Sequence, residues 1–83
     1  MKKKIAILGS TGSIGQSLLE IVNQNRNIFE ISLLTAHKDY KTLLNQAKKF
    51  SVKNLIITDK ESFKKIKKKI KIIKLKFLII LKV

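Results

Sequence analysis

The 83-residue chain predicts an α/β fold, part of a doubly wound parallel sheet of three to four strands with flanking helices. Three observations carry this. Short apolar runs recur at residues 5–8, 29–35 and 55–57, each is followed by a segment with apolar residues at helical spacing, and a glycine-rich loop joins the first run to the first such segment. Strands that alternate with helices pair in parallel, because a crossover helix is the short way back to the same end of the sheet.

In chain order, Ile5, Ala6, Ile7 and Leu8 form an unbroken apolar tetrad, the pattern of a strand buried on both faces with helices on either side. Ile14, Leu18, Ile21 and Val22 then recur at i, i+4, i+7 and i+8, which predicts a helix to about Asn25 with those residues inward. Asn25, Arg26 and Asn27 read as a turn, and residues 29–35 as a second strand with Ile31, Leu33 and Leu34 inside. Asp39 is placed to cap a second helix, whose apolar stripe is Tyr40, Leu43, Leu44 and Ala47 with Phe50 one turn on. Leu55, Ile56 and Ile57 make a third strand, and Thr58-Asp59-Lys60-Glu61 reads as a capping box that opens a third helix with Phe63, Ile66 and Ile70 inward. Residues 73–77 alternate like a fourth strand, although 66, 70, 73 and 77 also fit a continuing helix. We therefore divide the chain into residues 1–69, the N-terminal part of a nucleotide-binding domain, and a basic apolar tail at 70–83, a possible fourth strand or out-of-frame sequence.

The loop Gly9-Ser10-Thr11-Gly12-Ser13-Ile14-Gly15 is the strongest chemical signal. Glycines between a strand and a helix leave several backbone amides aimed at one point, where the helix dipole also favours negative charge. Such a point suits a pyrophosphate: Gly9 permits the turn, Gly12 lets phosphate approach the backbone, and Gly15 lets the helix pack closely on the strand. Thr11 and Ser13 add hydroxyl donors. The spacing is G-x-x-G-x-x-G rather than G-x-G-x-x-G, so its context matters as much as the motif, and a plain tight turn is the blander reading. A P-loop is excluded because no Lys-Ser or Lys-Thr pair follows the last glycine.

In such a Rossmann-like sheet, the residue after the second strand selects the cofactor, an acid taking a ribose 2′-hydroxyl and a base a 2′-phosphate. That segment is Thr35-Ala36-His37-Lys38-Asp39. Lys38 is the reader that favours NADP over NAD; Glu30 stands at the wrong end of its strand, Asp39 doubles as a helix cap, and His37 is either a phosphate donor or an exposed loop residue.

Together, the glycine loop within the first fifteen residues, Ala36-His37-Lys38-Asp39 after strand two and Ile57-Thr58-Asp59 after strand three resemble the 1-deoxy-D-xylulose 5-phosphate reductoisomerase family over roughly residues 3–65. The resemblance implies NADPH as cofactor, with Thr11, Gly12, Ser13 and Ile14 contacting it and His37, Lys38 and Asp39 at its 2′-phosphate. It further implies an NADPH-dependent oxidoreductase of an isoprenoid-precursor pathway, which rearranges and reduces a sugar phosphate to 2-C-methyl-D-erythritol 4-phosphate. A divalent metal, magnesium or manganese, and a homodimer are implied for the full-length member only. Family members commonly carry glycine and asparagine where this chain has His37 and Asp39. Their metal-binding carboxylates and substrate-phosphate residues lie downstream of the part resembled here, so this chain is expected to be a truncated or frameshifted remnant, inactive alone, with no catalytic and no metal residue of its own.

Composition bounds the remaining classes. With no cysteine and one histidine, neither a disulfide framework nor a thiolate metal site is available. Net charge is +14, but residues 1–59 carry nine basic and four acidic residues while residues 60–83 carry ten and one, so the charge marks the tail. Eighteen of the nineteen basic residues are lysine, Arg26 being the exception, and proline and tryptophan are missing, a composition that AT-rich codon usage produces. The rival reading is a small basic module whose Lys64–Lys76 region meets nucleic acid or an anionic surface; Phe63 and Phe77 are too sparse to stack bases. Other NAD(P) enzymes of the short-chain dehydrogenase kind need Tyr-x-x-x-Lys, and Tyr40 is followed at that spacing by Leu44. The apolar runs are too short for a signal core or a membrane span, so a cytoplasmic location and no membrane partner are expected.

Overall fold

The structure, a computed structural model, describes residues 2–73 and 79–82. The elements run β1 (Lys3–Ile7), α1 (Ser13–Asn23), β2 (Phe29–Ala36), α2 (Tyr40–Phe50), β3 (Asn54–Ile57), α3 (Lys60–Ile73) and β4 (Ile79–Lys82). All neighbouring strands pair in parallel, in the order β1-β2-β3-β4. A parallel crossover is right-handed, and every crossover here steps the same way across the sheet. The helices, expected on either side, therefore all lie on one side: α2 packs against α3, and α1 meets α2 along a groove lined by Gln16, Leu19, Glu20, Asn23, Gln46, Lys49 and Phe50.

This layout corrects two expectations. β1 was to be buried on both faces, yet Ala6 is exposed and Leu8 is 72% exposed, because no helix covers the second face and no strand pairs with the outer edge among the described residues. Helix α1 was to point Ile14, Leu18 and Ile21 inward with Val22. Instead Gly15, Leu19 and Val22 face the sheet, while Ile14, Leu18 and Ile21 are 78%, 45% and 54% exposed. Each residue turns a helix by about 100°, so Gln16, Glu20 and Asn23 fall on the flank toward α2, and Ile14, Leu18 and Ile21 on the opposite flank, overhanging β1.

The core lies between sheet and helices. Ile7, Leu34 and Leu55 are aligned across three strands, as are Ala36 and Ile57 across two, and all five are buried. Leu43, Leu44 and Ala47 of α2 and Ile66 of α3 close over them, with Tyr40, Phe50, Phe63 and Ile70 packed at the margin, as the periodicity predicts. Between β1 and β2 the register shifts, Ile5 pairing with Ile31 and Ala6 with Leu33. Ser32 is the extra residue, and its polar groups stay satisfied: its hydroxyl donates to Ile5 O (3.1 Å) and its carbonyl accepts from Asn54 Nδ2 (3.1 Å).

Two helix boundaries differ from the sequence reading. The cap of α3 is Asp59, one residue later than the Thr58-to-Glu61 box: Asp59 Oδ2 accepts from both the amide (3.0 Å) and the hydroxyl (2.8 Å) of Ser62. A carboxylate reaches the third amide of the helix as well as a threonine does and also suits its positive end. Helix α3 then continues to Ile73, so Ile73 is helical rather than the start of a strand, and residues 74–77 of that expected strand lie outside the described residues. Lys64, Lys65, Lys67, Lys68 and Lys69 are exposed on α3 around buried Ile66.

Candidate nucleotide-binding site

The glycine loop leaves β1 at its carboxyl end, where the parallel sheet directs each connection into a helix. Gly9 adopts φ +66°, a left-handed conformation that glycine takes without a Cβ penalty. Its amide donates to Thr35 Oγ1 at 2.9 Å, and the next amide, Ser10 N, donates to Thr35 O at 2.9 Å. Ser10 is fully buried beneath the loop. Its hydroxyl donates to Gln46 Oε1 (2.8 Å), and Gln46 Nε2 donates back to Ser10 O (2.9 Å). Thr35 of β2 and Gln46 of α2 thus clamp the loop from below. Sequence reading had not singled out either residue as an anchor, since partners 25 and 36 positions away leave no local pattern.

The three glycines have different duties. A Cβ on Gly15 would sit 2.3 Å from Gly9 O and 2.6 Å from Ser10 Cα, so α1 packs directly on the loop backbone rather than on the strand. A Cβ on Gly12 would meet only Gly9 O, at 3.5 Å, an ordinary contact. The protein's own packing therefore does not require glycine at 12.

The start of α1 is unlike that of the other helices. Asp39 Oδ1 accepts from Thr42 N (3.1 Å) at the head of α2, and Asp59 does the same for α3. Gly12 caps α1 with no side-chain bond, and no acidic residue stands in the first turn. Among the described residues no hydrogen bond takes the amides of Ser13, Ile14 or Gly15; the bonds nearby are Gly12 N to Gly9 O, Gln16 N to Gly12 O and Gln16 Nε2 to Thr11 O. These three free donors and the dipole of an eleven-residue helix converge on one point, the arrangement that binds a phosphate oxygen.

Of the residues predicted to touch the cofactor, Thr11, Gly12, Ser13 and Ile14 lie together in this loop, half-buried to exposed. His37, Lys38 and Asp39 follow β2 and are exposed. Glu30 stands at the opposite end of β2. Asp39's carboxylate is turned to Thr42, and Asp59's carboxyl is held below its ordinary range, first by the backbone and side-chain bonds from Ser62 and then by the nearby charges of Lys38 and His37. Both carboxylates of this rim thus serve helix starts, and Lys38 is the exposed cation between them after β2. Among the described residues no group of three or more His, Cys, Asp or Glu could hold a metal ion, and no helix is long and apolar enough to cross a membrane.

A clamped glycine turn and a bare helix start at the carboxyl end of the first strand define an α/β domain of the dinucleotide-binding class. Comparison with known proteins gives the particular family. The family model for 1-deoxy-D-xylulose 5-phosphate reductoisomerase matches residues 5–81, and the chain belongs to that family. The match runs into β4, past the point where lysine and isoleucine begin to dominate. A curated relative of that name from Pelagibacter ubique is 59% identical over 61 residues, 74% of this chain and 16% of its own length. One from Buchnera aphidicola is 43% identical over 74 residues, 89% of this chain and 19% of its own. Among solved structures, the reductoisomerase from Zymomonas mobilis in complex with NADPH superposes with a TM-score of 0.86 at 26% identity, over 99% of this chain and 21% of that one. Another, solved with NADPH, fosmidomycin and magnesium, gives 0.88 at 32% identity, over 98% and 19%. The chain spans about a fifth or less of the length of these relatives.

Proposed function

We propose that this chain is the NADPH-binding segment of a reductoisomerase that rearranges and reduces 1-deoxy-D-xylulose 5-phosphate to 2-C-methyl-D-erythritol 4-phosphate. The single observation that carries this is the bare start of α1: the free amides of Ser13, Ile14 and Gly15 behind a turn held by Thr35 and Gln46. The loop's backbone would hold the pyrophosphate, with Thr11 and Ser13 offering hydroxyls and Ile14 an apolar edge. Lys38, with His37 beside it, would meet the 2′-phosphate, and Asp39, whose Oδ1 accepts from Thr42 N, keeps its negative charge at the same rim. When bound, NADPH supplies the hydride for the reduction.

What this chain's own residues do is bind and orient. The groups that would polarise the substrate, and those that would hold magnesium or manganese, are assigned to the part of the relatives that this chain does not span. The exposed lysines of α3 surround a buried isoleucine, which suits a solvated helix face. Titrating the 83-residue chain with NADPH, NADH and a short oligonucleotide at two salt concentrations tests the reading. Saturable NADPH binding stronger than NADH binding is expected. A steeply salt-dependent oligonucleotide signal with no saturable NADPH binding would replace it with the basic-module reading.

A further inference from the structure

Every carbonyl of the loop from Gly9 to Gly12 accepts a hydrogen bond from the protein itself. Gly9 O accepts from Gly12 N (3.1 Å), Ser10 O from Gln46 Nε2 (2.9 Å), Thr11 O from Gln16 Nε2 (2.8 Å) and Gly12 O from Gln16 N (2.9 Å). The amides are divided. Those of Gly9, Ser10 and Gly12 are bonded, whereas that of Thr11 joins Ser13, Ile14 and Gly15 in having no bond among the described residues. Three of the carbonyl bonds come from the loop or the first turn of α1. The one on Ser10 comes from α2, 36 positions away.

Chemistry determines the direction of the Gln46 contacts. Ser10 O can only accept, so the amide nitrogen of Gln46 must face it, and Oε1 then accepts from the Ser10 hydroxyl at 2.8 Å. Ser10 is fully buried, so solvent does not stand in for Gln46. The Ser10–Thr11 peptide is trans, and the C=O and N–H of a planar trans peptide point in opposite directions. With Ser10 O drawn to α2, Thr11 N–H points away from α2.

We propose that Gln46 is a positioning residue for the cofactor's pyrophosphate: by holding Ser10 O, it keeps that carbonyl from the anion and leaves Thr11 N–H free to donate beside Ser13, Ile14 and Gly15. This rests on the reading of the site as NADPH-binding. A phosphate is drawn to amide hydrogens and repelled by carbonyl oxygens. Without Gln46, Ser10 O has no partner, and the peptide is free to rotate and exchange a donor for an acceptor at the loop's surface. The pyrophosphate is common to NADPH and NADH, so both nucleotides lose alike, unlike a change at the rim after β2.

The test uses the full chain with Gln46→Met, similar in length but without the amide, and with Leu44→Val, a buried position of the same helix. NADPH and NADH titrations are read beside melting curves, and side-chain amide exchange is read on the ligand-free wild type. We expect Gln46→Met to lose about three- to tenfold in affinity for both nucleotides. Leu44→Val should lower the melting temperature and bind as wild type. The side-chain amide of Gln46 should exchange more slowly than that of exposed Gln24. Gln46→Met binding as wild type, a loss for NADPH alone, or an equal loss in Leu44→Val would overturn the proposal. So would a Gln46 amide that exchanges as fast as that of Gln24. A wild-type chain that binds neither nucleotide overturns the cofactor reading itself, and the exchange rates, measured without ligand, distinguish that failure from a Gln46 that does not hold the loop.

Discussion

Helices α1 and α2 have the same length and cross the same side of one sheet, yet they are finished differently. Helix α2 starts on a carboxylate, buries Leu43, Leu44 and Ala47, and has neighbours on both flanks. Helix α1 starts on a glycine with three free amides, and one flank carries Ile14, Leu18 and Ile21 in solvent. A helix end left uncapped costs stability that a Ser, Thr, Asp or Asn would restore. Helix α2 holds the core on a capped start, whereas α1 leaves its start and one flank open. In a doubly wound sheet, ligands sit outside the carboxyl ends of the strands where the strand order reverses. The glycine loop lies at the carboxyl end of β1, beside the bare flank of α1, although the described strands run in one direction without such a reversal.

The comparison breaks most sharply at its packed positions. Gly15→Ala should cost about 3 kcal/mol, because a methyl 2.3 Å from a backbone oxygen can be relieved only by moving α1 off the loop. Leu43→Ala in α2, fully buried, should cost a similar amount, about 2–5 kcal/mol from lost burial and the cavity left behind. Denaturant unfolding followed by circular dichroism measures both. On the bare flank, Leu18→Lys should change stability by less than about 0.5 kcal/mol. A loss as large as that of Leu43→Ala would show that this flank is already packed.

At the helix starts the expected effects are smaller and opposite in sign. Asp39→Ala removes the α2 cap and should cost about 1 kcal/mol. Gly12→Asp gives α1 the cap that α2 has, at a backbone of φ −78° and ψ 172° that any residue adopts. It should gain a few tenths of a kcal/mol while abolishing NADPH binding, since a carboxylate then occupies the amides. A Gly12→Asp chain that binds as wild type would place the cofactor elsewhere.

Asp59 adds a pH dependence at the start of α3. Its folded carboxyl titrates below the ordinary value because of the bonds from Ser62. Its contribution to stability is therefore complete above the unfolded carboxyl's range and is lost as pH falls through the lower folded value. Melting curves between roughly pH 2 and pH 5 should show a steeper acid loss in wild type than in Asp59→Asn. Another small change concerns Ser51, which ends α2 at φ 55°; Ser51→Gly should stabilise by about 0.5 kcal/mol, since glycine takes that conformation without strain.

Much of α2 and α3 could be read from the sequence because their periodic residues have neighbours within the chain. Leu43, Leu44, Ala47 and Ile66 are buried, where the stripe placed them. Helix α1 misled for a physical reason. It carries two apolar stripes, Gly15-Leu19-Val22 and Ile14-Leu18-Ile21, and hydropathy cannot say which one this chain covers. The glycine loop was legible as a tight turn into a helix, since Gly9 takes a positive φ and Gly15 leaves no room for a Cβ. Its clamp was not: Thr35 and Gln46 look like any strand threonine and helix glutamine until the fold brings them under Ser10. His37 was visible as a departure, but its contact with Thr58 depends on β2 and β3 ending side by side.

On the proposed reading, the bare start of α1, rather than the basic surface of α3, receives the cofactor. Amide ¹H–¹⁵N spectra of the wild-type chain, recorded through an NADPH titration, test it most directly. The account predicts saturating shifts at Ser13, Ile14 and Gly15, with smaller ones at His37 and Lys38, while the capped amides of Thr42 and Ser62 stay in place. Shifts confined to the lysines of α3, or no saturable change at Ser13 to Gly15, would contradict it.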